Sequence, residues 1–274
     1  MTRSILPLAG ALLLCAAPAL RAQSPAESAH DLVKDVVYNE IQERRTVSLW
    51  QYREEKRVAS QTTIQQEVET RSGIVFRVLA RQGRPLDPAA QKKETDRLNS
   101  LVRNTAEQAR MRQESQAEEQ RLQRLMAAMP EAFLYTYDGM AEGNLRLSFR
   151  PNPAYNPQTY EARVYHGLAG EIWIQPQRKR LVKIDAHILT EIDFGYGLLG
   201  RVEKGGTFQI EREQVAENRW KTSLLEVHIS GRVVLFKAIS KDQREVRSNF
   251  QPVSSDLSVP GAVAVLNAMT SPSP

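Results

Sequence analysis

Asn144-Leu145-Arg146-Leu147-Ser148-Phe149-Arg150 decides the fold class. Leu145, Leu147 and Phe149 alternate with polar neighbours, so this stretch reads as a strand with one face in a core and the other in water. Downstream, Pro151-Asn152-Pro153 and Asn156-Pro157 break the pattern. Ile172-Trp173-Ile174 and residues 180–189 then flank Gln175-Pro176-Gln177-Arg178-Lys179, which has the form of a hairpin. Residues 208–213, 220–229, 233–239 and 246–250 add strands at short spacing, and Ser230-Gly231 reads as a two-residue turn. So many sequential strands imply an antiparallel sheet that curls.

Upstream the text changes twice. Residues 47–81 read as strands, with Trp50 and Tyr52 on one face, Ile74, Phe76 and Val78 likewise, and a turn at Ser72-Gly73. Residues 61–71 are polar and β-branched, which suits a strand with one wet face. Residues 28–43 read as a helix carrying Leu32, Val33, Val36, Val37 and Ile41 near helical spacing. Residues 87–130 contain neither glycine nor an aromatic residue. Asp87-Pro88 suits a helix start and Pro130 a stop. Leu98, Leu101, Val102 and Thr105 form one stripe, Leu122, Leu125, Met126 and Met129 another. A single straight helix here would be about 65 Å long at 1.5 Å per residue. The expectation is therefore two helices, or one long projecting helix with a solvated middle.

The fold class is thus α+β: a curled antiparallel sheet with helices over its concave face and a long helical insertion at 87–130. Residues 23–250 form one domain. Residues 251–274, rich in Ser, Pro and Ala, are expected to be a flexible tail.

Residues 1–22 have the three parts of an export signal. Arg3 is the basic start, residues 5–17 are apolar, and Leu20-Arg21-Ala22 offers a cleavage site after Ala22. Leu14 before Cys15 makes a poor lipoprotein processing site, so Cys15 is read as part of the apolar run. Cleavage would leave no cysteine, which excludes disulfides and thiolate chemistry in the mature protein. It would also lower the formal net charge from +5 to +3 by removing Arg3 and Arg21. That mild, scattered excess does not suggest a nucleic-acid binder. The expected location is the periplasm, with no transmembrane span after cleavage.

Catalytic chemistry is not legible. Gly195-Tyr196-Gly197-Leu198-Leu199-Gly200 matches G-x-G-x-x-G, but its surroundings are antiparallel β rather than βαβ, so a glycine-rich β connection is the better reading. The four histidines lack metal-ligand spacing, and Asp185, His187 and Glu191 read as the wet side of a sheet. There is no G-x-S-x-G elbow. The reading is a non-enzymatic protein without cofactor or metal.

Gly170-Glu171-Ile172-Trp173-Ile174-Gln175-Pro176 followed by Arg180-Leu181-Val182-Lys183-Ile184 is similar to a hairpin of the outer-membrane lipoprotein carrier and sorting superfamily. The resemblance is clearest over residues 133–250. It implies an incomplete barrel with helices covering an apolar cavity that accepts acyl chains. Gln175 stands where that family more often has aspartate, and the 87–130 stretch is longer than the family pattern. On this reading Trp50, Phe76, Phe149 and Trp173 line a lipid-sized cavity, with Phe194, Tyr196 and Leu199 near its opening. The partners are then a lipid or an acylated protein. The alternative is an envelope structural or interaction protein that binds a protein partner through the 87–130 helices.

Overall fold

The computed structural model describes residues 27–159, 161–194, 200–233 and 242–269. The export signal, Cys15, Tyr196 and Leu199 lie outside the described residues, as does most of the strand expected at 233–239. The chain begins with α1 (Ala29–Arg45), capped by Ser28, whose hydroxyl oxygen accepts from the Asp31 amide. A meander follows: β1 (Leu49–Val58), β2 (Gln61–Thr70), β3 (Gly73–Arg81) and the two-residue β4 (Arg84–Pro85). Next come α2 (Pro88–Arg103) and α3 (Thr105–Ala132).

The helical insertion is therefore two helices, divided at Asn104. That residue ends α2 and caps α3 by accepting from the Glu107 amide. Pro130 does not stop α3, which continues to Ala132; the ring is buried in the last turn, where the missing N–H removes only one bond close to the helix end.

The second half runs β5 (Phe133–Ala141), β6 (Asn144–Pro151), a 3₁₀ turn (Glu161–His166), β7 (Leu168–Gln175), β8 (Arg180–Ile188), β9 (Ile192–Phe194), β10 (Gly200–Val202), β11 (Thr207–Ala216), β12 (Arg219–His228), β13 (Gly231–Val233) and β14 (Asp242–Val253), ending in α4 (Val259–Ala268). Eleven strands form one antiparallel sheet in the order β4-β3-β2-β1-β14-β12-β11-β8-β7-β6-β5, which does not close into a barrel. β13, β10 and β9 make a separate small sheet. The glycine-rich motif thus joins two antiparallel strands, and β10 starts at Gly200 where a nucleotide fold would start a helix.

Two sequence expectations are corrected. Ser230-Gly231 is not a hairpin turn, because β13 leaves β12 and pairs with β10. Gly231 has φ +118°, and a Cβ there would sit 2.1 Å from the Arg201 carbonyl oxygen, so glycine is needed at this crossing. Residues 251–269 do not trail as a tail. They finish β14 and form α4, which Ser258 caps and whose Leu266 is fully buried.

Cross-strand registers fix the faces. Glu54 lies beside Arg247, and the same face continues through Gln243, Val227, Phe208, Ala186 and Gly170 to Phe149. Over β5–β8 this first face is apolar, with Phe133, Leu147, Phe149, Ile172 and Ile174 packed under Val33, Val36 and Val37 of α1 and the Leu125–Met129 end of α3. Val68 and Val75 belong to the second face, where Leu98 of α2 and Val263 and Leu266 of α4 cover them. The expectation of helices on one face holds for α1 and the C-terminal part of α3, whereas α2, α4 and Met111 of α3 pack on the other. Among the described residues no helix is long and apolar enough to cross a membrane.

Candidate functional site

Among the described residues, Trp50, Phe76, Phe149 and Trp173 are not gathered into one cavity. Trp50 and Phe76 share the first face, one on each side of β2. Phe149 is on that face too, but at the far end of the sheet. There it is packed solid against Phe133, ring centres 4.8 Å apart, with Phe133 in turn against Tyr165 at 4.9 Å. Trp173 alternates with Ile172 and Ile174 and so lies on the second face. Phe194 ends β9 in the small sheet, and Asp185, His187 and Glu191 are exposed. Four of the aromatics are approached by cations: Lys221 over Trp50 (6.0 Å), Arg247 over Tyr52 (5.7 Å), Arg97 over Phe76 (4.6 Å) and Lys183 over Trp173 (5.1 Å).

Between the two helix-covered ends, the first face is charged. Alternation along β1, β2 and β14 turns Glu54, Gln65, Glu67, Gln243 and Glu245 inward, and all are buried. The Gln65 amide donates to Glu54 (2.8 Å) and Glu67 (2.5 Å). Arg247 donates to Glu54 (3.0 Å) and Glu245 (2.7 Å), and Lys56 to Glu245 (2.5 Å). Three carboxylates thus share two cations. Burial, then the nearby Glu67 charge, pushes the Glu54 carboxyl up to about 7 against the pull of Arg247. Burial and Glu67 also push the Tyr52 phenol up.

A second ionic group ties α1 to the sheet. Glu40 is held by Arg180 and by Arg212, and its Oε1 also accepts from the Leu181 amide (3.1 Å). Glu43 accepts from the Trp220 amide (2.8 Å) and pairs with Arg180. Burial disfavours the Glu40 charge, but Arg212 and Arg180 outweigh it, and its carboxyl stays below the ordinary range.

Above this group is an open groove of about 330 Å³, where the C-terminal end of α1 meets the β7–β8 and β11–β12 turns. Gln42 and Thr46 of α1, Arg178, Asn218, Arg219 and Trp220 border it. Trp220 is only 8% exposed, and its indole Nε1 is buried without a partner. In the sequence Trp220 is legible only as the start of a strand, and neither Arg178 nor Arg219 stands out. Arg178 lies in the β7–β8 turn and Arg219 at the start of β12, about forty residues apart, and no local pattern announces their meeting. Among the described residues no cluster suited to a metal ion occurs. No protein-family model, curated protein or solved structure matches this chain.

Proposed function

We propose that this chain is an exported, non-enzymatic protein of the cell envelope that binds a lipid or acyl chain on the first face of its open sheet. One observation carries the reading. At the β1–β3 end, α2 and α4 bury their apolar residues on the second face. On the first, Ile74 (44%) and Phe76 (37%) remain exposed two residues apart on β3, with Glu69 and Glu67 of β2 between them and the buried Trp50 and Tyr52. Exposed apolar residues side by side on a sheet are costly to keep in water unless something is laid over them. Each covered methylene contributes about 0.8 kcal/mol, offset by the ordering of the chain that covers it. The reading thus places the ligand at β1–β3, because α1 and α3 fill the β5–β8 end.

The test is organic-solvent extraction of protein purified from the periplasm, with mass spectrometry of the extract. A stoichiometric lipid, lost in a secreted and folded Ile74→Ser/Phe76→Ser double variant, supports the reading. A blank extract from folded protein, repeated after lipids are offered, overturns it.

A second reading, binding of an envelope protein through the helical insertion, is favoured by the placement of α3. Its ends are anchored, by Arg112 on Ser72 and by Leu125–Met129 in the core. The polar surface around Arg110 and Glu114 faces solvent. Charge reversal at both positions would abolish capture of a partner and leave the lipid content unchanged.

A further inference from the structure

We propose that the groove between α1 and the two turns is a binding site for an oxyanion, the carboxylate or phosphate group of a small molecule. The proposal is independent of the lipid reading, because it concerns a different part of the fold.

The charge balance favours an anion. Beneath the groove, Glu40 and Glu43 are matched by Arg180 and Arg212. Around it, Arg44 is paired with Glu119, and Lys179 with Glu27 and Asp35. Arg178 and Arg219 have no carboxylate partner among the described residues; Arg178 donates only to the neutral Asn218 side chain. Two unneutralised guanidinium groups therefore remain at the mouth. The C-terminal end of α1 opposes an anion through its dipole, but that effect is weaker than a single charge-assisted hydrogen bond, and two guanidinium groups are present to make them.

The donor set points the same way. An indole N–H and a guanidinium donate and never accept, so a group that bonds to all three must offer acceptor atoms. The planar arginine fork matches the paired oxygens of carboxylate and phosphate. Trp220 borders the groove, and its indole Nε1 is a buried donor without a partner. Such a donor is costly to leave unmade, and an oxygen that reached it would recover that cost. The Trp220 amide is fixed by Glu43 and its carbonyl by Arg212 (3.2 Å), so the indole is held in place beforehand.

The experiment is a titration of the full chain carrying ¹⁵N-labelled tryptophan, with inorganic phosphate in one arm and succinate in the other, against sodium chloride at equal ionic strength. The sequence has three tryptophans, and the peak missing from Trp220→Phe identifies the reporter. The expected result is a saturable downfield shift of the Trp220 indole proton in at least one arm, with Trp50 and Trp173 unmoved. The arm that responds identifies phosphate or carboxylate as the group. In Arg178→Gln/Arg219→Gln the affinity falls roughly tenfold or more while the other two indole peaks report an intact fold. Shifts matched by chloride, no shift in either arm, or full affinity in the double variant would overturn the proposal.

Discussion

Arg180 holds Glu40 with two donors, Nε at 2.9 Å and an Nη at 3.1 Å, across 140 positions of sequence, and both side chains are nearly withdrawn from water. Removing one partner of such a pair leaves the other charged and buried, at a cost of about 3–5 kcal/mol. Arg180→Ala is expected to lose that much in urea unfolding. Because the Glu40 carboxyl sits below its ordinary 4.5 in the folded chain, its contribution is present above that pH and lost as pH falls through the folded value. The acid side of the stability profile should therefore be shallower in Arg180→Ala; an unchanged profile would remove Arg180 from this role.

Glu54 works in the opposite sense. Its carboxyl is raised from 4.5 to about 7, so the folded chain binds more protons than the unfolded one across that window. Stability should fall as pH rises from 4.5 to about 7 and then level off. Glu54→Gln, which keeps the shape and removes the charge, should flatten the fall and be the more stable protein above the window. Urea midpoints on the two sides of the window check this, and parallel curves for both proteins would contradict it.

Leu266 reaches from α4 into the core around Leu98, Val68 and Val75. Leu266→Ala is expected to cost about 2–5 kcal/mol. A loss within about 0.5 kcal/mol, the range of surface changes, would mean that α4 is not part of the fold's stability. Thermal or urea unfolding reads the difference.

Gly170 and Gly143 make a controlled comparison. A Cβ on Gly170 would sit 2.1 Å from the Asp185 carbonyl oxygen and 2.7 Å from the Ala186 Cα, inside the β7–β8 pair. Gly143 has open space, and only its φ of +77° resists alanine, at about 1–2 kcal/mol. Gly170→Ala should be clearly the more damaging in soluble yield and unfolding midpoint. Equal losses would mean that the strands part easily at Gly170.

The strands were legible wherever polar and apolar residues alternate, as in β6, and the two helices of the insertion were legible from Asp87-Pro88 and their leucine stripes. Trp173 was not, because Ile172 and Ile174 flank it and an unbroken apolar run does not tell which face a residue takes. The inward glutamates were hidden for a related reason. Glu54 and Glu55 are adjacent, and only the pairing with Arg247 and Gln65 shows which one is buried. In the last segment the Ser, Pro and Ala content read as a tail, although Ser258 as cap, an early proline and the apolar Ala262, Val263 and Leu266 are a helix start in short form. The groove was invisible because its parts are contributed by three separate elements.

The middle of the large sheet is a seam between its earliest strand and its latest, with Glu54 on β1 and Arg247 on β14 separated by 193 positions. A chain emerging end-first from a ribosome or a translocation pore cannot join this seam until nearly all of it is out, so assembly is late and intrinsically slow. Until then β1 offers an unpaired edge to any passing strand. The alternating charges of Arg53, Glu55 and Arg57 along that edge are a guard against mispairing during the wait.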